Sequence, residues 1–129
     1  MGRDAEKTDP VIMVVEADAA VRESLKFALE IEGFKVRTYE TPNQLLAEND
    51  LPRAGVLIAH YHLPSMNGLD LILEMRRRSS IPALLVTGGA SGAIRKRASD
   101  AGVSLVVKPF LGAVLIDRIR KLLDSAHKG

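Results

Sequence analysis

VLIAHYHLPSMNG, residues 56–68, is an apolar run that passes through two histidines, His60 and His62, into a Leu-Pro turn. Short apolar runs with little polar alternation are typical of strands covered on both faces, as in parallel sheets. Such a strand carries its last polar side chains to the carboxyl edge of the sheet, which is where open α/β sheets bind ligands. The histidines therefore mark a candidate site.

The same kind of run recurs along the chain. We predict strands at VIMVV (11–15), the weaker KVRTY (35–39), GVLIA (55–59), ALLV (83–86) and SLVV (104–107). Apolar residues at helical spacing fill the segments between them, across residues 21–29, 69–75, 94–101 and 114–123. Thr41-Pro42 predicts the cap and first residue of a further, short helix. Alternating strands and helices indicate an α/β fold with a parallel sheet between helices.

Composition limits the class of protein. The chain has 129 residues, 47% of them hydrophobic, with a formal net charge of +2 and no cysteine. These values predict one globular domain, with tails at residues 1–9 and 126–129 around a domain at 10–125. No apolar stretch is long enough to span a membrane, and the polar start does not resemble a secretory signal. We expect a cytoplasmic protein without disulfides and without a nucleic-acid-binding motif.

Polar residues follow four of the predicted strands. Glu16, Ala17 and Asp18 follow the first, His60 and His62 the third, Thr87 and Gly88 the fourth, and Lys108 and Pro109 the fifth. A carboxylate, a hydroxyl beside flexible backbone and an amine would thus converge on one pocket. Hydroxyl, backbone N–H and ammonium groups are suited to the oxygens and charge of a phosphoryl group.

Four motifs, VVEAD (14–18), HYHLPSMNG (60–68), VTGG (86–89) and VVKPF (106–110), appear in the order and spacing of a known family. With them the chain resembles a response regulator receiver domain of two-component phosphorelay signalling, over about residues 11–123. The resemblance implies a flavodoxin-like (βα)5 three-layer sandwich with a parallel sheet of strand order 2-1-3-4-5.

The resemblance also implies roles for residues. In the family, two acidic residues after the first strand help to hold Mg²⁺, and an aspartate ending the third strand accepts the phosphoryl group. A Ser or Thr ends the fourth strand, and a lysine precedes a proline after the fifth. The matching positions are Glu16, Thr87, Lys108 and Pro109, whereas Ala17 replaces the second acid, His60 the phosphoacceptor and Leu105 the aromatic switch residue.

These departures predict a degenerate phosphorylation site. Mg²⁺ requires oxygen ligands, and imidazole is a poor substitute. An acyl phosphate cannot form on a residue without a carboxylate. We therefore expect no catalytic activity, no cofactor and no bound metal. The implied function is phosphorylation-independent binding of a signalling protein through the fourth helix, fifth strand and fifth helix, with a second copy of the chain as another candidate partner.

Alternative interpretations stay open at this point. A non-standard residue could accept the phosphoryl group, or His60, His62 and Glu16 could hold a transition metal or a small molecule. The simplest interpretation is that His60 hydrogen-bonds to Glu16 or Thr87 while Lys108 pairs with Glu16, a neighbourhood in which histidine could respond to pH. Asp18 is interpreted as a helix cap. The basic runs 76–78 and 95–97 are interpreted as solvated helix faces.

Overall fold

A computed structural model describes residues 9–107 and 112–128. Most of the predicted N-terminal tail, together with Lys108 and Pro109, lies outside the described residues. The last residue of that tail, Asp9, is described, and its Oδ2 pairs with Nζ of Lys35 at 3.2 Å.

Five parallel strands form one sheet: β1 (Val11–Val15), β2 (Lys35–Tyr39), β3 (Gly55–His60), β4 (Ala83–Thr87) and β5 (Ser104–Val107). Their order is β2-β1-β3-β4-β5, which confirms the order implied by the resemblance. Two strands are one residue longer than predicted, because His60 still pairs with Val86 and Thr87 still pairs with Val107. Polar side chains do not end a strand whose backbone ladder continues.

Five helices alternate with the strands: α1 (Ala19–Ile31), α2 (Pro42–Leu46), α3 (Gly68–Met75), α4 (Gly92–Asp100) and α5 (Gly112–Lys128). Each of the first four is preceded by a capping residue whose side chain accepts a hydrogen bond from a backbone N–H of the first turn: Asp18, Thr41, Asn67 and Ser91. The predicted caps at Asp18 and Thr41 are confirmed.

The predicted C-terminal tail, residues 126–129, begins within α5, which continues to Lys128. No glycine or proline interrupts the segment before Gly129, so nothing in the local sequence ends the helix earlier. Among the described residues, no helix has the length and apolar character needed to cross a membrane.

Two apolar clusters cover the two faces of the sheet and make three layers. One cluster joins the sheet to α1 and α5 through Leu25, Leu29, Leu115 and Ile119. The other joins it to α2, α3 and α4, with Leu45, Ile72 and Ala98 among its members. The central strands are therefore buried on both sides, as their unbroken apolar runs predicted.

The arginines after α3 have a structural role that the sequence did not indicate. Nη1 of Arg76 donates to the carbonyl of Ala101 at the end of α4, and its Nη2 donates to Gly102 O at 3.2 Å. Arg78 donates to the carbonyl of Leu46, the last residue of α2, at 2.8 Å and to the carbonyl of Glu48 just beyond the helix. Carbonyls at helix ends lack partners within the helix. The interpretation of these two side chains as merely solvated is therefore wrong.

We expect Arg78→Ala to lower the free energy of unfolding by about 1–2 kcal/mol, because two carbonyls at the end of α2 lose a charged donor. Urea denaturation followed by circular dichroism measures the change. Arg77→Ala is the matched control, since within residues 9–107 and 112–128 no hydrogen bond or ion pair of the Arg77 side chain is found. Equal losses in the two variants would contradict this role.

Candidate functional site

The candidate site lies at the carboxyl edge of the sheet, where three strands deliver polar residues side by side. Glu16 directly follows β1, His60 ends β3 and Thr87 ends β4. The register pairs Val15 with Ala59 and His60 with Val86, so the three positions reach the same edge. Lys108 and Pro109, predicted to complete the pocket, lie outside the described residues.

Glu16 is buried, with 4% of the residue exposed, and its carboxylate is turned toward the start of α1. Its Oε2 accepts a hydrogen bond from the backbone N–H of Asp18 at 3.0 Å. Its own backbone N–H donates to Tyr39 O at 3.0 Å. One carboxylate oxygen is thus already engaged in holding the loop between β1 and α1.

Arg22 also holds this loop, and sequence reasoning missed it. Its Nη1 donates to Glu16 O at 2.9 Å and lies 3.3 Å from Ala17 O. The contact joins a residue of the first turn of α1 to the backbone that precedes the helix, which no periodicity in the sequence signals. Asp18 meanwhile accepts from the N–H of Val21 at 3.0 Å, so its carboxylate is used as the helix cap.

His60 does not make the hydrogen bond that we predicted. Its Nε2 lies 3.9 Å from Oε1 of Glu16, which is beyond hydrogen-bonding distance. This nitrogen is buried without a hydrogen-bond partner among the described residues, although 14% of the side chain is exposed. The other ring nitrogen, Nδ1, lies 3.4 Å from the carbonyl of His62. A cavity of about 10 Å³, bordered by Glu16, His60 and Val86, adjoins the ring.

Thr87 is fully buried and its hydroxyl is directed into the following loop. Its Oγ1 donates to Gly89 O at 2.8 Å, so the proton is not available to the ring of His60. A Cβ on Gly88 would meet nothing within 4 Å, which leaves open space beside this loop. Leu105, the predicted switch position, is half-buried on β5 and packs against the cluster that contains α2, α3 and α4.

The described residues at this edge do not fit Mg²⁺. Glu16 supplies one carboxylate with one oxygen already engaged, Ala17 supplies no side-chain oxygen, and His60 supplies an imidazole. Mg²⁺ needs near-octahedral oxygen ligation. These residues therefore offer Mg²⁺ too few side-chain oxygens, and one of the groups is a nitrogen ligand.

Among the described residues, His60, His62 and Glu16 do not come together as the ligands of a metal ion. Their ring centroids are 6.2 Å apart, and the exposed ring of His62 instead stands edge-on to Tyr61 at 5.1 Å. Among the described residues, no three His, Asp or Glu side chains come close enough together to hold a metal ion.

The loop after β3 is held close to the strand it leaves. Ser65 has φ of +70°, and the N–H of Met66 donates to Pro64 O at 2.9 Å across it. Asn67 caps α3, and the N–H of Gly68 donates to Tyr61 O at 2.8 Å. A Cβ on Gly68 would lie 2.2 Å from His60 O, so this close approach requires glycine.

Tyr39, at the end of β2, is a second residue that sequence reasoning missed. Its hydroxyl donates to Oε2 of Glu48 at 2.7 Å. Burial raises the pKa of Tyr39 to about 12, and the neighbouring Glu48 carboxylate adds to the increase. The strand pattern KVRTY indicated a weak strand and gave no sign of this pair.

Stability should therefore fall between about pH 10 and pH 12. The pKa of Tyr39 in the folded state is raised above the ordinary value of 10.0. The contribution of the neutral Tyr39 side chain to the free energy of unfolding is therefore fully present below pH 10 and is lost as pH rises toward 12. Urea denaturation across this range, in a Tyr61→Phe background with Tyr39 as the remaining tyrosine, measures it. Tyr39→Phe should flatten the profile. An unchanged decline in that variant would contradict the assignment.

Comparison with known proteins agrees with this architecture. A family model described as the response regulator receiver domain matches residues 12–120. The transcriptional regulatory protein FixJ of Rhizobium meliloti is 31% identical over 116 residues, covering 88% of this chain and 57% of FixJ. The sensory transduction protein RegX3 of Mycobacterium tuberculosis is 32% identical, covering 87% of this chain and 50% of RegX3. The chain thus spans about half the length of these relatives.

Solved structures give the same result. A CheY-like response regulator receiver domain from Methanospirillum hungatei superposes with a TM-score of 0.84 at 29% identity, covering 93% of this chain and 98% of the other. The N-terminal part of FixJ superposes with a TM-score of 0.81 at 29% identity, covering 90% and 94%. Because the sheet order, the family model and these relatives agree over nearly the whole described chain, the protein belongs to the response regulator receiver domain family of two-component signalling.

Proposed function

We propose that this protein is an atypical receiver that acts by protein–protein contact and does not accept a phosphoryl group. The observation that supports the proposal is the imidazole of His60 at the end of β3, where the family resemblance places the phosphoacceptor aspartate. The one neighbouring carboxylate in the described residues, Glu16, lies 3.9 Å from this ring and is directed toward the backbone of Asp18.

The chemistry supports this proposal at two separate steps. An acyl phosphate requires a carboxylate oxygen as the nucleophile, and an imidazole cannot form one. Phosphoryl transfer also requires a cation to neutralise the charge on the transferred group. Glu16, Ala17 and His60 do not supply the oxygen ligands that Mg²⁺ needs. Phosphoryl transfer to any other residue of this pocket would therefore proceed without the cation that neutralises the transferred group. We infer that the protein is not an enzyme and needs no cofactor.

A signalling protein, such as a kinase, another regulator or an output protein, is the proposed partner, and the cytoplasm the proposed location. The candidate surface comprises α4, β5 and α5. Arg95, Lys96 and Arg97 are exposed on α4 and give this face a basic character. Lys96 pairs with Asp100 at 3.2 Å and Arg97 with Asp70 at 3.1 Å, so acids balance part of this charge, and Arg95 has no ion pair among the described residues. A basic face of this kind suits an acidic surface on the partner.

Incubation with acetyl phosphate and Mg²⁺, followed by intact mass measurement, tests the proposal. We expect no gain in mass, because the acceptor carboxylate and two of the three acidic side chains of the family site are absent. A stable gain of one phosphoryl group would overturn the proposal and establish a non-standard acceptor residue. The double variant Ala17→Asp/His60→Asp, in which both missing carboxylates are restored, provides the positive control.

A further inference from the structure

Two runs of basic residues, 76–78 and 95–97, are each followed closely by serine. Ser79 and Ser80 come directly after the first run, and Ser99 follows the second with one residue between them. Protein kinases recognise their substrates partly by such charge patterns, because carboxylates of the kinase pair with cations near the hydroxyl. Three hydroxyls are therefore candidates for modification, and their surroundings in the fold distinguish them.

Two of these serines lie in segments whose groups are already bonded. Ser99 lies inside α4, where its carbonyl accepts the N–H of Gly102 at 3.0 Å. Ser79 is half-buried; its N–H donates to Met75 O at 2.9 Å, and its Oγ accepts the N–H of Ile81 at 3.3 Å. A kinase must take the hydroxyl into its own active site, so either serine would first have to give up these contacts in a local opening.

Ser80 is exposed in the loop between α3 and β4. Within residues 9–107 and 112–128, its hydroxyl makes no hydrogen bond, whereas that of the preceding serine does. The next residue, Ile81, precedes Pro82, and the residue before a proline favours an extended backbone. Exposed polar loops are where proteases reach a folded chain most easily, and the same access suits a kinase.

One arginine of the first run is available to a kinase. Arg76 and Arg78 donate to backbone carbonyls at the ends of α4 and α2, so their guanidinium groups are occupied. Arg77 is exposed and has no hydrogen bond or ion pair among the described residues. It lies three residues before Ser80. A guanidinium in this situation can pair with a carboxylate through two parallel hydrogen bonds.

We propose that Ser80 is a phosphorylation site for a serine kinase that recognises Arg77. Oγ of Ser80 attacks the γ-phosphorus of ATP, so the Oγ–P bond forms as the bond to the departing ADP oxygen breaks. The proton of the hydroxyl passes to the catalytic aspartate of the kinase. The kinase supplies the ATP, the Mg²⁺ and the base, and this chain supplies the hydroxyl and the cation.

This inference does not rest on the proposed function and does not conflict with it. Ser80 precedes β4 at the amino edge of the sheet, whereas His60 ends β3 at the carboxyl edge. The proposed function concerns the pocket of His60, which lacks the acceptor carboxylate and the ligands for Mg²⁺. A serine ester formed by a separate kinase needs neither group. Acetyl phosphate tests the pocket, and ATP with a kinase tests the loop.

The folded chain, incubated with ATP, Mg²⁺ and a serine kinase selective for arginine three residues before the hydroxyl, tests the proposal. Intact mass measurement and peptide fragmentation follow the reaction. We expect one phosphoryl group on Ser80, and none on the Ser80→Ala variant. Arg77→Ala should lower the initial rate at least about tenfold, because the kinase loses a charge-assisted contact. Arg53→Ala is the matched control: this arginine is exposed, but no serine follows it in the next residues.

Replacing the other two hydroxyls completes the experiment. Ser79→Ala and Ser99→Ala should each leave the gain of one phosphoryl group unchanged, with circular dichroism showing that every variant is folded. A folded chain that gains no mass would overturn the proposal, as would a phosphoryl group found on Ser79 or Ser99. Equal rates for Arg77→Ala and Arg53→Ala would overturn the recognition of Arg77.

Discussion

The double variant Ala17→Asp/His60→Asp should bind Mg²⁺ and gain one phosphoryl group from acetyl phosphate. Each replacement adds a carboxylate at the carboxyl edge of the sheet, beside the buried carboxylate of Glu16. Three carboxylates provide the hard oxygen ligands that Mg²⁺ prefers, and position 60 again carries a nucleophilic oxygen. The double variant should gain one phosphoryl group per chain, whereas the natural sequence under the same conditions should gain none, because it lacks the acceptor carboxylate.

Intact mass measurement and calorimetric titration with Mg²⁺ read out the two effects separately. The matched control is Ala17→Asn/His60→Asn, which has nearly the same side-chain size without the negative charges and should show neither effect. Ala17→Asp alone should improve Mg²⁺ binding but leave the protein without an acceptor. If the folded double variant neither binds Mg²⁺ nor gains mass, the retained pocket differs from a working receiver site in more than these two residues.

Gly55→Ala should lower the free energy of unfolding by about 3–5 kcal/mol, combining backbone strain with overpacking. Gly55 begins β3 with φ of +151°, a conformation that residues with a Cβ rarely adopt. A Cβ at this position would lie 1.9 Å from the carbonyl oxygen of Val11. The clash is with backbone in the register between β1 and β3, so the sheet itself would have to shift.

Gly88→Ala is the control for this effect, because a Cβ there would meet nothing within 4 Å and its φ is outside the left-handed region. This variant should be neutral or slightly more stable, since alanine restricts the unfolded chain. Urea denaturation compares the two variants under the same conditions. A loss below about 1 kcal/mol for Gly55→Ala would contradict the close approach of β1 and β3, because strain and overpacking each cost at least that much.

The sequence by itself determined the elements and their order. The apolar runs identified all five strands, the turn after His60 led into a helix as expected, and capping residues such as Asp18 and Thr41 marked where helices begin. These features depend on interactions within a few residues of each other, which is why the pattern of residues is enough to predict them. The sequence alone also shows that Ala17 and His60 stand where the family resemblance places acidic residues.

Only the tertiary structure decided how the side chains at the site are used. It turned the carboxylate of Glu16 toward Asp18, and within residues 9–107 and 112–128 it gives Nε2 of His60 no hydrogen-bond partner, contrary to the predicted pair. It also placed Arg78 against Leu46, 32 residues away, and left Phe27 exposed on α1. Contacts of this kind depend on the direction and distance between elements far apart in the chain, and those quantities are fixed by packing rather than by local pattern.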